Sequence, residues 1–257
     1  MHADLAIHVS TLYAFAFVLA RMSGVFLFLP LPGIQAGPSA ARAILTLVST
    51  FALFGRWPSV PAAPANIAQF GGWMLAEMVL GLSIGLAVTF IVEVFLIAAQ
   101  LISVQAGFSY ASTIDPTTNA DSVVLVVIAQ LTAALLFFAT GLDRQVFGIL
   151  ANSLETSPPG VFSPAHSAVE SLVMMGGAVF GTALRLALPF MMLLLMVDLA
   201  LGMLGRLNAQ VQIFSLAIPV KMLGSLGLLS SSVLLFPRVF TQISTAIFNV
   251  VRHLLGG

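Results

Sequence analysis

The stretch from Phe70 to Ala106 decides most of what this chain can become. It is apolar almost throughout and carries only two charges, Glu77 and Glu93. As an α-helix rising ~1.5 Å per residue it would outreach a bilayer hydrocarbon core of ~30 Å. Its setting is equally poor in charge, since 7% of the 257 residues are charged and 60% are hydrophobic. A soluble domain carries about 25% charged residues. Such a surface cannot stay dissolved, so the chain is an integral membrane protein.

The remaining runs support an all-α reading. Thr11–Leu29 is long enough to span, and Pro30, Pro32 and Gly33 end it. Ala43–Phe54, between Arg42 and Arg56, is marginal for a span and suits half of a helical hairpin. Val123–Ala139 is a clean span, and Gln145–Ala165 reads as a loop or short amphipathic helix. Ser171–Gly205 is over-long and interrupted by Arg185, Pro189 and Asp198, while Val211–Phe236 holds Pro219 and Lys221 near its middle. Pro237–Leu255 closes the chain as an amphipathic helix. That makes six or seven helices. The alternating ten-residue segments of a membrane barrel are absent. With no internal repeat, residues 1–257 read as a single membrane domain. The N-terminal run has no basic start and no small-residue cleavage site, so it is expected to stay as a helix.

Composition also narrows function. Nine basic and nine acidic side chains cancel, and no basic stripe suggests nucleic acid. Without cysteine there is no thiolate nucleophile and no Cys-ligated metal. His2, His8, His166 and His253 are dispersed, and no G-x-S-x-G, H-E-x-x-H or Gly-rich phosphate loop occurs. Neither an enzyme nor a cofactor is expected.

Six charges interrupt the apolar runs: Arg21, Glu77, Glu93, Arg185, Asp198 and Lys221. An ionised group at a bilayer centre costs at least ~2.5–3.5 kcal/mol, so such residues face water, protein or a partner charge. An ion relay is one reading, and mutual pairing within the chain or with a neighbour is the favoured one. Glu77 and Glu93 fall on nearly opposite faces of one helix and cannot form a single carboxylate site within it.

Small residues recur at helical spacing in Gly81/Gly85, Gly177/Gly181 and Ala99/Ser103/Gly107, where helices can approach closely. The first two pairs read as internal packing seams. The third leads into a polar loop, Phe108–Asp121, with Phe108, Tyr110, Ile114, Asp115 and Pro116. Asp-Pro-Thr-Thr-Asn has ordinary turn chemistry, whereas Gly-Phe-Ser-Tyr-Ala-Ser-Thr-Ile offers apolar bulk between small residues, as a channel constriction would. The residues alone leave both readings open.

Two stretches carry a family likeness. Glu93–Pro116 resembles the flagellar biosynthesis protein FliR family and its virulence counterparts of the SctT and SpaR type in type III secretion. That family has a glycine-ended helix, a Gly-x-Ser-aromatic-Ala stretch and Asp-Pro, matched here by Gly107, Ser109, Tyr110, Ala111, Asp115 and Pro116. In Leu201–Lys221 the matching residues are Arg206, Gln210, Ile213, Phe214, Pro219 and Lys221. Thr113 stands where the family often has a second loop aromatic, which leaves more of any seal to Phe108 and Tyr110.

The resemblance implies a core subunit of a protein export gate in the bacterial inner membrane, within the flagellar basal body. Its helices would form tilted hairpins in a helical hetero-oligomer with FliP-type and FliQ-type subunits, and with FlhB-type and FlhA-type proteins nearby. The loop from Gly107 through Phe108, Thr113, Ile114 and Asp115 to Pro116 would help seal the channel until an unfolded protein passes. Glu93, Gln100 and Gln105 on the helix before it join the second motif as buried polar positions. The alternative is an ion-coupled secondary transporter using the intramembrane Glu, Asp and Lys residues, which predicts paired broken-helix repeats that the sequence lacks.

Overall fold

The computed structural model describes residues 8–29, 39–58, 64–108, 124–159, 166–207 and 213–254. Among them there are helices and no strands: α1 (Val9–Phe28), α2 (Ser39–Ala52), α3 (Ile67–Ala106), α4 (Val124–Ala139), α5 (Leu142–Thr156), α6 (His166–Leu207), α7 (Ile213–Ser232) and α8 (Phe236–Leu254). Short 3-10 turns follow α2 and join α7 to α8. Four helical stretches are long and apolar enough to cross a membrane, or five if the α4–α5 pair, broken at Gly141, is one span. The expected all-α membrane protein is what forms. Gln145–Ala165, open between loop and helix in the sequence, contains most of α5, whose Val146, Ile149, Leu150 and Leu154 turn inward at helical spacing.

The chain groups into two compact units. The first comprises residues 1–90, 141–175 and 244–257, and the second comprises 91–140 and 176–243. In hydrocarbon, apolar side chains gain nothing by leaving lipid for protein, so helices are held by close backbone approach and polar contacts. The first unit uses both. A Cβ added to Gly81 would overlap the Arg21 carbonyl oxygen, and one added to Gly85 would lie 2.6 Å from that of Val25. From the other side, a Cβ on Gly24 would overlap the Met78 carbonyl. Thus α1 and the first half of α3 touch backbone to backbone. Thr89 Oγ1 then donates to the Phe28 carbonyl at 2.5 Å, satisfying an acceptor at the end of α1 that lipid could not.

Helix α2 is turned inside out relative to a helix of a soluble protein. Thr46, Ser49 and Thr50 are buried while Ile44, Leu47, Val48 and Phe51 are exposed. The inward hydroxyls of Thr46 and Thr50 donate to the carbonyls one turn back, Arg42 and Thr46. Apolar outside and satisfied polar inside is the arrangement hydrocarbon demands.

In the second unit Ile91, Leu125, Phe137 and Phe240 are fully enclosed, with the Phe95 ring 5.5 Å from that of Phe240. A cavity of about 300 Å³ lies here, lined by Phe95, Ala99, Leu125, Phe190 and Phe236 among others, and polar only at Thr132 and Ser230. Pro189 lies inside α6, where it cannot donate to the Arg185 carbonyl. The sequence reading of Gly177/Gly181 as an internal seam is not met, because a Cβ on either would find open space.

Candidate functional site

Two of the charges that interrupt apolar helices find one another in each unit. In the first, Arg21 and Glu77 are both wholly enclosed. Arg21 Nε donates to Glu77 Oε2 at 2.6 Å, Nη1 to Ser153 Oγ at 2.9 Å and Nη2 to the Ser157 carbonyl at 2.7 Å. The planar guanidinium thereby ties α1 to α3, to α5 and to the residue that follows α5. Glu77 Oε1 has no hydrogen-bond partner among the described residues. An enclosed pair of this kind is structural glue, with no atom open to an ion path.

In the second unit Asp198 of α6 meets Lys221 of α7, with Nζ 2.9 Å from Oδ1 and 3.1 Å from Oδ2. Gln105, in the last turn of α3, donates its Nε2 to Asp198 Oδ2 at 3.2 Å. These side chains are only part-enclosed: Lys221 is 14% and Asp198 36% accessible.

Gln105 is two residues from where α3 stops, and the stop is specific. Gly107 takes a left-handed φ of 86°, Gly107 N–H donates to the Val104 carbonyl at 3.2 Å, and Phe108 N–H to the Ser103 carbonyl at 3.1 Å. Those two bonds around a left-handed glycine form a Schellman cap, which ends a helix and fixes the exit direction of the chain. Gly107 also faces Ile218 of α7, to which an added Cβ would come within 3.7 Å, an ordinary contact distance. Three helices therefore converge on the point where the loop begins: α3 through its cap, α6 through Asp198, and α7 through Ile218 and Lys221.

The structure gathers some of the residues singled out in the sequence and separates others. Ala99 and Ser103 are buried, so the small-residue face packs inward as far as Gly107. Phe108 is half-buried, and Ser109, Tyr110, Ala111, Thr113, Ile114, Asp115 and Pro116 lie outside the described residues. Gln210 also lies outside them, and of Phe214 only its place in α7 is described. Of the positions expected to be buried and polar, Gln105 and Lys221 join Asp198, whereas Gln100 and Arg206 are exposed and Glu93 is half-buried with no partner among the described residues. Asp198 was noted in the sequence as a charge inside an apolar run but not as the centre of this cluster. The signal was its spacing to no neighbour at all, since Gln105 is 93 positions and Lys221 23 positions away.

A family model described as bacterial export proteins, family 1, matches residues 12–247. The chain belongs to that family. It is 27% identical to the flagellar biosynthetic protein FliR of Escherichia coli over 239 residues, covering 92% of this chain and 90% of the relative. FliR of Pectobacterium carotovorum is 30% identical over 200 residues, 77% of each chain. The surface presentation of antigens protein SpaR of Shigella sonnei is 25% identical over 240 residues, covering 93% of this chain and 88% of the relative. Relatives of this chain thus include flagellar biosynthetic proteins and a surface presentation of antigens protein, and the chain is an inner-membrane component of a bacterial export apparatus. In family terms, the capped end of α3 and the Asp198 cluster both lie within the matched region.

Proposed function

We propose that this export protein forms and seals part of the channel through which unfolded flagellar proteins cross the inner membrane, with the segment after Gly107 as its gate. The observation that carries the reading is the capped end of α3 held against α6 and α7. A loop used as a seal must leave its helix at a fixed angle, and the Gly107 cap sets one. Its root is anchored by the Gln105–Asp198–Lys221 cluster, which is polar and part-accessible and can rearrange at small cost when a chain passes. Aromatic and small side chains close a pore by packing and dewetting, yet yield to a polypeptide. Phe108 and Tyr110 supply that bulk, and Thr113 little of it.

In this role the protein works within a hetero-oligomer in the basal body, beside FliP-type and FliQ-type subunits and near FlhB-type and FlhA-type proteins. The outward apolar faces of α2, α4 and α6 suit such surroundings. The role needs no catalysis or cofactor. Among the described residues no cluster of His, Cys, Asp or Glu could hold a metal.

The test is a photo-reactive residue in place of Phe108 in the assembled apparatus, with an export substrate stalled by a tightly folded C-terminal fusion. The reading expects an adduct between this position and the unfolded stretch of the substrate. Normal export with no adduct at Phe108 or Tyr110 would overturn it.

A further inference from the structure

From Glu93 to Val104 the second half of α3 sorts its side chains by face. Val94, Phe95, Ala98, Ile102 and Ser103 are buried, while Glu93, Leu96 and Ile97 are half-buried and Gln100 and Val104 are exposed. At 3.6 residues per turn the latter five fall within about 100° of arc and run along about 16 Å of the helix. The stripe is apolar except at two places. Glu93 carries a charge, and Gln100, two turns further on, carries an amide on the same line.

Neither has a partner among the described residues. All nine Lys and Arg residues lie among the described residues. Three of them form ion pairs, with Glu77, Glu155 and Asp198, and none reaches Glu93. Glu77, sixteen positions earlier on the same helix, has Arg21. Glu93 has neither a cation nor a hydrogen-bond donor among the described residues.

A carboxylate flanked by Leu96 and Ile97 is poorly served by hydrocarbon, which offers neither charge nor donor. A second copy of the same stripe would serve it no better. Two-fold pairing would set Glu93 against a surface whose single ionisable group is another carboxylate.

We infer that the Glu93–Gln100 stripe is the docking surface for a membrane helix of a different polypeptide. That helix presents a Lys or Arg level with Glu93, and a hydrogen-bonding side chain about 10 Å along its axis for Gln100. The inference rests on the reading of the chain as one subunit of a multi-protein gate, and it specifies one of that gate's contacts.

The test keeps the full chain in the assembled apparatus. A photo-reactive residue replaces Leu96, leaving Glu93 intact, and adducts are mapped by mass spectrometry. The expected adduct is a different membrane protein, joined at a helix that carries Lys or Arg. Glu93→Lys should lower co-purification of that protein at least tenfold, Glu93→Gln should lower it less, and Lys/Arg→Glu in the partner should restore it to Glu93→Lys. Adducts only with lipid or with a second copy, or wild-type assembly of Glu93→Lys, would overturn the surface. A Glu93→Lys chain that loses its partner beside a loop deletion that exports and seals normally would leave the surface standing and remove the gate role. The opposite pair of results would do the reverse.

Discussion

Arg21–Glu77 and Lys221–Asp198 are the same chemical pair put to opposite uses. The first has 0% exposure on both sides, two further donor contacts, one to α5 and one to the residue beyond it, and a glycine seam directly beside it. The second is 14% and 36% exposed, shares its carboxylate with a single amide, and lies next to a helix end. Breaking an enclosed pair strands a charge where nothing can solvate it, whereas a part-exposed pair exchanges a partner for water at little net cost. The difference assigns rigidity to one cluster and responsiveness to the other. The responsive one lies beside the end of α3, where the segment proposed as the gate begins.

The comparison is broken most severely at Arg21. Arg21→Ala leaves Glu77 buried and unpaired and should destabilise the first unit by about 3–5 kcal/mol. Expression and detergent melting would record a loss of folded chain. The double substitution Arg21→Met with Glu77→Leu should recover most of it, since two apolar side chains leave no stranded charge. A double variant as unstable as the single one would refute the glue reading.

The seam comes next. Gly81→Ala pushes a methyl into the Arg21 carbonyl, which is backbone and cannot swing aside, so about 1–3 kcal/mol is expected from forced displacement of α1. Gly177→Ala, with open space around it, should be neutral in the same melting experiment. Equal effects at the two glycines would show that the α1–α3 approach is not what holds the unit.

Gly107→Ala is smaller and local. The methyl has room beside Ile218, so the cost is that of a left-handed backbone for a residue with a Cβ, about 1–2 kcal/mol. It should leave global melting little changed and increase proteolysis or spin-label mobility just after residue 107.

Asp198→Asn should have the smallest stability effect, about 0–1 kcal/mol given its exposure. Its resting ion leak in the assembled apparatus should nevertheless rise. The charge exchange Asp198→Lys with Lys221→Asp should lower that leak again. A leak unchanged from wild type in a normally assembled Asp198→Asn complex would remove the cluster from the gate.

Much of the architecture was legible in the residues because hydrocarbon punishes polar backbone and charge. The run Phe70–Ala106 announced α3 with its end in place and its start three residues late, at Phe70 instead of Ile67, since only a helix satisfies so long an apolar stretch. While Glu93 and Arg185 form no ion pair among the described residues, pairing of the other four of the six intramembrane charges followed from the same penalty. The identity of the pairs did not, because Arg21 reaches 56 positions to Glu77 and 132 to Ser153, and no local period encodes such distances. The glycines divide in the same way. Gly81 and Gly85 were readable as a seam, but Gly24, which completes it from α1, is a lone glycine whose signal was the weaker series Ala16/Ala20/Gly24 at the same spacing. Gly177 and Gly181 have the same spacing and face open space, so the motif marks an opportunity for close approach and not its direction. At the loop, Gly107 was readable as a helix stop from its place after an apolar face. The convergence of α6 and α7 on it required the fold.

The most direct test of the gate is the resting ion conductance of the purified, fully assembled apparatus in a lipid bilayer, with and without residues Gly107–Asp115. The account predicts that the wild-type complex is closed and that the deletion passes ions continuously at rest. A deletion complex with its full set of subunits and the closed conductance of wild type would contradict it.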